Sequence, residues 1–149
     1  GIKKDDIVLD AYCGIGTIGI TMAKFCREVI GVELNPAAVN DAVYNAKLNN
    51  ISNIHFICQD AGEYMSDNYN KLKADVVVMD PPRAGSDKKF LDSVIRLSPD
   101  RIIYISCNPE TQARDVLLLL NGGYRITGME TFDLFPYTDN FENIVCMSK

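Results

Sequence analysis

The sequence is poor in the residues on which several common kinds of site depend. It has one histidine, His55, and no tryptophan. A single histidine argues against a histidine-based metal site and against a Ser-His-Asp triad. The five cysteines are odd in number and scattered, with neither C-x-x-C pairs nor a disulfide framework. That usage predicts a reducing cytoplasm and no bound metal.

Long apolar runs and a basic excess are also missing. No stretch is long enough to span a bilayer, no signal-peptide pattern opens the chain, and the net charge is −5. This is not the charge of a stand-alone nucleic-acid binder, so a polynucleotide substrate would need other segments to attract its phosphates. The 149 residues, 47% hydrophobic, suffice for one domain with its own core. Because Gly1 opens the chain almost at a strand, we expect residues 1–149 to be one domain excised from a longer protein.

Apolar runs alternate with helical patterns through most of the chain. Predicted strands cover residues 7–10, 28–32, 54–58, 74–79, 102–105, 124–130 and 142–147. Predicted helices follow the first five strands and end near residues 26, 49, 65, 97 and 120. Alternation of this kind predicts an α/β fold with a mostly parallel seven-stranded sheet covered on both faces. The last two strands have no helix between them, which predicts an antiparallel hairpin at one edge. The pattern resembles the class I methyltransferase fold.

An acidic residue recurs at the end of successive predicted strands: Asp10, Glu33, Asp60 and Asp80. Any one of them alone is more often a helix cap or a solvated residue. Together they would lie along the carboxyl edge of the sheet, where open α/β sheets bind ligands.

The glycine pattern at residues 14–19 suggests a cofactor loop after the first strand. Gly14 and Gly16 would let the backbone approach a ligand, and Tyr12 would pack on the cofactor or on the sheet. The glycines alone fit a dinucleotide nearly as well, and that alternative stays open. Asp10 favours a ligand carrying an ammonium and a sulfonium, such as S-adenosylmethionine, because a carboxylate there would repel a pyrophosphate. Glu33 would accept from the ribose hydroxyls and Asp60 from the adenine amino group.

Cys107 lies where the fifth strand ends and a helix begins. Asn108 is a natural N-cap, and Pro109 suits the first helical position. A helix N-terminus favours negative charge and therefore a thiolate. A buried structural cysteine is the alternative, and at this junction we prefer the nucleophile.

Three motifs together resemble the RNA 5-methyluridine methyltransferases, the 23S rRNA and tRNA uracil-C5 enzymes. They are Asp-Ala-Tyr-Cys-Gly-Ile-Gly-Thr at 10–17, Asp-Pro-Pro-Arg-Ala-Gly at 80–85 and Ser-Cys-Asn-Pro at 106–109. The closing Phe135-Pro136 and Glu142 resemble the family's C-terminal signature.

The resemblance implies a class I methyltransferase domain, S-adenosylmethionine as cofactor and RNA as partner, with 23S rRNA expected first and tRNA left open. It implies Cys107 as the nucleophile on C6 of the base and Glu142 as the base that removes the C5 proton. Asp80 would hold the base or the methionine amino group, Arg83 a phosphate or Glu142, and Asn108 the substrate. We expect a monomer with no obligate protein partner and no membrane association.

The sequence departs from the family pattern in two ways. Asn140 and Phe141 stand where His and Val are common in the signature, although Thr138 and Glu142 are kept. Family members usually carry an upstream RNA-binding domain and a Gln that contacts cofactor and base, and some carry an iron-sulfur cluster. This chain contains none of these, so we expect the fragment to fold and yet to be inactive alone.

Other functions remain open. An amino-group methyltransferase usually has an aromatic residue after the two prolines, where Arg83 stands. A cytosine-C5 RNA enzyme usually has a further cysteine in the Asp80 loop, which is missing. A non-catalytic cofactor-binding module would not need both Cys107 and Glu142. The other cysteines fit packing roles: Cys13 in the loop, and Cys26, Cys58 and Cys146 in the core.

Overall fold

A computed structural model describes residues 1–134, 136–138 and 141–149, and its strands form one sheet. The strands are β1 (Ile7–Ala11), β2 (Glu28–Glu33), β3 (Ile54–Cys58), β4 (Val76–Met79), β5 (Arg101–Ser106), β6 (Arg125–Phe132) and β7 (Glu142–Ser148). The helices are α1 (Thr17–Met22), α2 (Pro36–Leu48), α3 (Ala61–Asn68), α4 (Lys88–Leu97) and α5 (Pro109–Asn121). The strand order is β3-β2-β1-β4-β5-β7-β6.

The sheet has the predicted topology. Strands β1 to β5 pair in parallel, and β7 runs antiparallel between β5 and β6. The chain thus crosses to the outer strand β6 before β7 returns to fill the gap. The α/β class, the mostly parallel seven-stranded sheet and the antiparallel C-terminal hairpin are confirmed.

Alternation along the central strands produces two cores, one on each face of the sheet. In β4, Val77 and Met79 join α3, α4 and α5 on one face, while Val76 and Val78 join α1 and α2 on the other. All of β4 is buried, as its continuous apolar sequence predicts for a strand covered on both sides.

Side-chain caps fix where several helices begin. Asn35 and Asn108 each accept a backbone N–H two residues ahead, at 2.9 and 3.1 Å, and each is followed by proline. Asp60 caps α3 through the Glu63 N–H, and Asp87 caps α4. The asparagine-proline pairs therefore act as the sequence predicts.

Some predictions need correction. Helix α1 ends at Met22, not near residue 26, and α3 continues to Asn68. Cys58 is exposed, because β3 is an edge strand, and Cys26 and Cys146 are only partly buried. Phe135 and Asn140, from the C-terminal signature, lie outside the described residues. No helix in the described ranges is long and apolar enough to cross a membrane.

Candidate active site

The recurring acids lie at one edge of the sheet, as predicted. Asp60 follows β3, Glu33 ends β2, Asp10 lies near the end of β1, and Asp80 follows β4. These strands are parallel neighbours, and Glu33 pairs in register with Cys58 at the end of β3. The acids thus share the carboxyl edge, where a ligand would lie across the strand ends.

Glu33 organises the loop after β1. Its Oε2 accepts the Gly14 N–H at 3.0 Å, and its Oε1 accepts the Asn35 N–H at 2.8 Å. One carboxylate therefore joins the glycine loop to the start of α2. Each oxygen keeps a second lone pair, which is the acceptor that ribose hydroxyls would need.

The surroundings of the two loop glycines, Gly14 and Gly16, differ. Tyr12, Gly14 and Gly16 all have positive φ, at 63°, 53° and 84°. A Cβ on Gly14 would meet no atom of the described residues within 4 Å, so among these residues open space faces this backbone. A Cβ on Gly16 would come within 2.9 Å of the Phe56 ring. The absence of a side chain at Gly16 therefore avoids a clash inside the fold, and contact of its backbone with a ligand stays a prediction.

Tyr12 packs within the protein. Its ring lies 5.4 Å from the Phe90 ring, centroid to centroid, and joins the core on the α4 side. Burial raises the pKa of the Tyr12 hydroxyl to about 12. Of the two roles that the sequence left open, the described contacts match packing on the sheet.

Asp10 is fully buried beneath α1. Its carboxylate has 0% exposure and accepts no hydrogen bond of normal geometry from the described residues. Burial raises its pKa to about 7, an effect that the nearby Gly19 N–H reduces and the charge of Asp80 increases. A buried and unpartnered acid directly under the loop fits a cationic ligand above it, although its oxygens do not reach the surface.

Cys107 and Glu142 come together because β7 returns beside β5. Ser106, the last residue of β5, pairs in register with Asn143, and Glu142 opens β7 next to it. Around Cys107 the backbone turns tightly, with the Asn108 N–H donating to Ser106 Oγ at 3.0 Å. Cys107 is a half-buried free thiol.

Asp80 faces the same group of residues. Burial, and next the negative charge of Glu142, raise the pKa of Asp80 to about 6. Glu142 is therefore near the end of β4 as well as the end of β5, and the predicted cofactor and catalytic residues border one region.

The loop after Asp80 is tied to α5. Asn108 Nδ2 and Thr111 Oγ1 donate to the Arg83 carbonyl at 3.1 and 3.0 Å, and Arg114 Nη2 donates to the Ala84 carbonyl at 3.0 Å. The Asn108 side chain, which we expected to contact substrate, thus serves as cap and loop anchor. Arg83 itself is exposed on this loop.

Below the loop lies a buried acid that the sequence analysis did not identify. Asp115 has 0% exposure and accepts from the Tyr104 hydroxyl at 2.7 Å, the Ser86 N–H at 2.8 Å and the Arg114 Nε–H at 2.8 Å. An acid on the core face of an amphipathic helix was the signal that could have identified it.

Comparison with known proteins agrees with this geometry. A family model described as tRNA (uracil-5-)-methyltransferase matches residues 2–149. An uncharacterised RNA methyltransferase of Enterococcus faecalis is 47% identical over 99% of this chain and 33% of its own length. Another from Halalkalibacterium halodurans is 43% identical over 98% of this chain and 32% of its own length. The chain therefore spans about a third of these curated relatives.

Solved structures show the same similarity. The Pyrococcus abyssi tRNA (uracil-54, C5)-methyltransferase, solved in complex with S-adenosyl-L-homocysteine, superposes with a TM-score of 0.82 at 34% identity. The match covers 98% of this chain and 35% of that one. A precorrin-6y C5,15-methyltransferase of Geobacter metallireducens shares the fold, with a TM-score of 0.80 at 18% identity. That match covers 99% of this chain and 82% of the Geobacter chain. The chain belongs to the tRNA (uracil-5-)-methyltransferase family.

Proposed function

We propose that the protein carrying this chain methylates C5 of a uridine in RNA through a covalent adduct on Cys107. The observation that supports the proposal is the pairing of β5 with β7, in which Ser106, the residue before Cys107, lies opposite Asn143, the residue after Glu142, at the edge where Asp80 follows β4. Family membership supports the reaction class.

S-adenosylmethionine is the methyl donor of the proposal. Glu33 would hold the ribose hydroxyls, Asp60 the adenine amino group and the Gly14 backbone the adjoining part of the cofactor. Asp10 and Asp80 would supply negative potential for its cationic groups. When bound, the cofactor supplies an electrophilic methyl group on a sulfonium and leaves as S-adenosylhomocysteine. The open space at Gly14 and the orphaned carboxylate of Asp10 support this assignment.

Cys107 begins the chemistry because C5 of uracil is a poor nucleophile. Its thiolate adds to C6 and forms a C–S bond, and the electron pair of the C5–C6 double bond moves toward C5 and O4. C5 thereby becomes nucleophilic enough to take the methyl group. Cys107 lies between β5 and the start of α5, at the carboxyl edge of the sheet, which supports its role as the nucleophile.

Glu142 completes the reaction as general base. Its carboxylate takes the C5 proton, the C5–C6 double bond re-forms and the C6–S bond breaks, which returns the thiolate of Cys107. Asp80 would then hold either the uracil or the methionine amino group, and Arg83, exposed on the neighbouring loop, would meet a phosphate. The net change is the replacement of one C5 proton by a methyl group.

The substrate RNA must present an unpaired or flipped-out uridine, since a duplex hides the reactive atoms. The charge of −5 means that segments outside residues 1–149 supply much of the phosphate attraction. The name of the Pyrococcus abyssi relative makes tRNA the first RNA to test, with 23S rRNA, our expectation from sequence, beside it. A reduced thiol and an RNA substrate both fit the cytoplasm.

The mechanism is tested by trapping. Whole protein is incubated with S-adenosylmethionine and RNA, and adducts are resolved by denaturing electrophoresis. Cys107→Ala should give neither adduct nor methylated RNA, whereas Glu142→Gln should accumulate the adduct because elimination stalls. RNA with 5-fluorouridine should trap the wild type, because fluorine does not leave as a proton does.

Matched controls are the exposed Cys58 and the exposed Glu130, replaced as Cys58→Ala and Glu130→Gln. Both should methylate like the wild type. Methylation by Cys107→Ala, or a Glu142→Gln protein that binds RNA without forming an adduct, contradicts the mechanism. Mapping 5-methyluridine in tRNA and 23S rRNA from cells with and without the protein identifies the substrate. If cells without the protein keep all their 5-methyluridine in both RNAs, the proposed function is contradicted.

A further inference from the structure

A buried pair of amides connects the strand that leads to Cys107 with the strand that begins at Glu142. Gln112, on α5, is 2% exposed, and Asn143, on β7, is 7% exposed. Asn143 Nδ2 donates to Gln112 Oε1 at 2.6 Å. Gln112 Nε2 donates to the carbonyls of Tyr104 at 3.0 Å and Asn143 at 3.1 Å. One side chain of α5 therefore bonds both β5 and β7.

The pair is held from its other side by the edge strand. Thr131 Oγ1, on β6, donates to Asn143 Oδ1 at 2.9 Å. The Asn143 amide thus donates toward Gln112 and accepts from Thr131, which defines its orientation. Asn143 is in register with Ser106 on one side and Thr131 on the other.

These contacts matter because β7 follows β6 with no helix between the two strands. A slip of two residues against β5 would keep the same face buried but move Glu142 by about 7 Å. Backbone hydrogen bonds alone are satisfied in either register. The two amides bond each other in one register only, since a slip would break both Gln112–Asn143 hydrogen bonds and leave Gln112 Oε1 and Asn143 Nδ2 unpaired.

We propose that Gln112 and Asn143 form a positioning pair that sets Glu142 at the distance from Cys107 needed for removal of the C5 proton. The inference rests on the proposed function. Neither amide touches the reacting atoms in this arrangement. Cys107 is fixed by β5 and the turn at Ser106, whereas Glu142 depends on the register of β7.

The pair should therefore act on one step of the reaction. Addition of the Cys107 thiolate to C6 needs no contact with β7. Elimination needs the Glu142 carboxylate at the C5 proton, with the C6–S bond breaking as the proton leaves. Disrupting the pair should slow adduct release more than adduct formation.

The experiment measures both rates in single turnovers of the whole protein with RNA and S-adenosylmethionine. In Gln112→Leu, adduct formation should stay within about twofold of the wild type. Release of methylated RNA should slow about tenfold or more, because small displacements of a catalytic group cost rate steeply. Asn143→Ala should behave in the same way. An unchanged ratio of the two rates in a folded Gln112→Leu protein overturns the inference.

Two further variants separate positioning from stability. Val116→Ala removes an apolar group on the same helix and leaves both amides in place, so it should lower Tm with the ratio unchanged. The double variant Gln112→Leu with Asn143→Leu leaves no unpaired side-chain amide, so Tm should recover in part while release stays slow. Recovery of release together with Tm would show a stability role alone and overturn the inference.

Thr131→Val keeps the test decisive if Gln112→Leu does not fold. It removes only the outer hydroxyl and should slow release about threefold, the effect of one modest hydrogen bond. An unchanged ratio there overturns the inference. If the wild-type protein forms neither adduct nor 5-methyluridine, the proposed function is contradicted, and the positioning inference that rests on it is contradicted too. If the wild-type protein methylates RNA but the variants keep its ratio of adduct release to adduct formation, the positioning inference is contradicted and the proposed function stands.

Discussion

The negative charge of Glu142 raises the pKa of Asp80, although Asp80 follows β4 and Glu142 opens β7. Burial is the larger cause of the raised pKa of Asp80, at about 6, and the negative charge of Glu142 is the second. Strand β5 lies between β4 and β7, so the two acids lie at strand ends on either side of the strand that leads to Cys107. Asp80, Glu142 and Cys107 thus lie in one region at the carboxyl edge of the sheet, where the uracil and the methyl donor would bind.

Glu142→Gln should lower the pKa of Asp80. Removing the neighbouring charge makes ionisation of Asp80 easier, but its pKa should stay above the ordinary value because burial remains. The measurement is an NMR titration of ¹³C-labelled aspartate carboxyls. Glu130→Gln, on the exposed strand β6, is the control and should leave the titration unchanged. An unmoved Asp80 in Glu142→Gln would mean that the acids do not interact.

Asp10 should make the ligand-free protein less stable as the pH rises. The pKa of Asp10 is about 7 in the fold and near 3.8 in the unfolded chain. Between these values the folded state holds a proton that the unfolded state has lost, so the free energy of unfolding falls as pH increases. The loss is complete above pH 7 and amounts to at most about 4 kcal/mol.

Asp10→Asn should flatten that pH dependence and raise stability at pH 7, while weakening cofactor binding. Denaturant unfolding from pH 4 to pH 8 measures the first effect, and titration with S-adenosylhomocysteine the second. Asp41→Asn, on the exposed side of α2, is the matched control. A variant with the wild-type pH dependence would show that Asp10 titrates normally.

Glu33→Ala should weaken cofactor binding by about 1–3 kcal/mol, the range for hydrogen bonds to a charged group. The change removes the acceptor for the ribose and also releases the Gly14 and Asn35 N–H groups. Calorimetry with S-adenosylhomocysteine on the whole protein measures it. Glu28→Ala, at the opposite end of β2, should bind as the wild type does. Equal affinities for all three proteins would contradict the assignment of Glu33.

The parts of the fold that sequence predicts well are those with local signals. The continuous apolar run before Asp80 and the asparagine-proline caps at Asn35 and Asn108 each specify an element from adjacent residues. Parallel strands have their carboxyl ends at one edge of the sheet, so the sequence alone predicts that the four acids lie along that edge.

The residues missed by sequence depend on distant partners. Gln112 and Asn143 are buried amides whose partners lie on another element, and neither residue type signals burial. Cys58 was assigned to the core because its strand is apolar, but the exposure of a strand depends on whether it lies at an edge, which the strand order decides. Tyr12 and Gly16 lie in a motif associated with ligands, yet their described contacts are internal.

Two glycines allow a test of how tightly α5 holds the loop that carries Arg83. Gly85 and Gly123 both have left-handed backbones, with φ of +79° and +93°. Within the part of the chain that the structure describes, a Cβ on Gly123 would meet no atom within 4 Å, whereas one on Gly85 would lie 2.5 Å from Arg114 Nη2 and 2.6 Å from Asp115 Oδ2. The arginine tip can move aside, but Asp115 is fully buried and bonded to Tyr104 and Ser86.

Gly123→Ala should therefore cost only the strain of a left-handed alanine, about 1–2 kcal/mol. Gly85→Ala should cost that amount and a further 1–3 kcal/mol, roughly, for the overpacked contact with Asp115. Denaturant unfolding compares the two. Because the clash is relieved only by moving the loop off α5, Gly85→Ala should also lose methylation of RNA at temperatures where it is fully folded, while Gly123→Ala keeps it. Equal losses of stability and activity in both variants would mean that the loop is not anchored through Asp115.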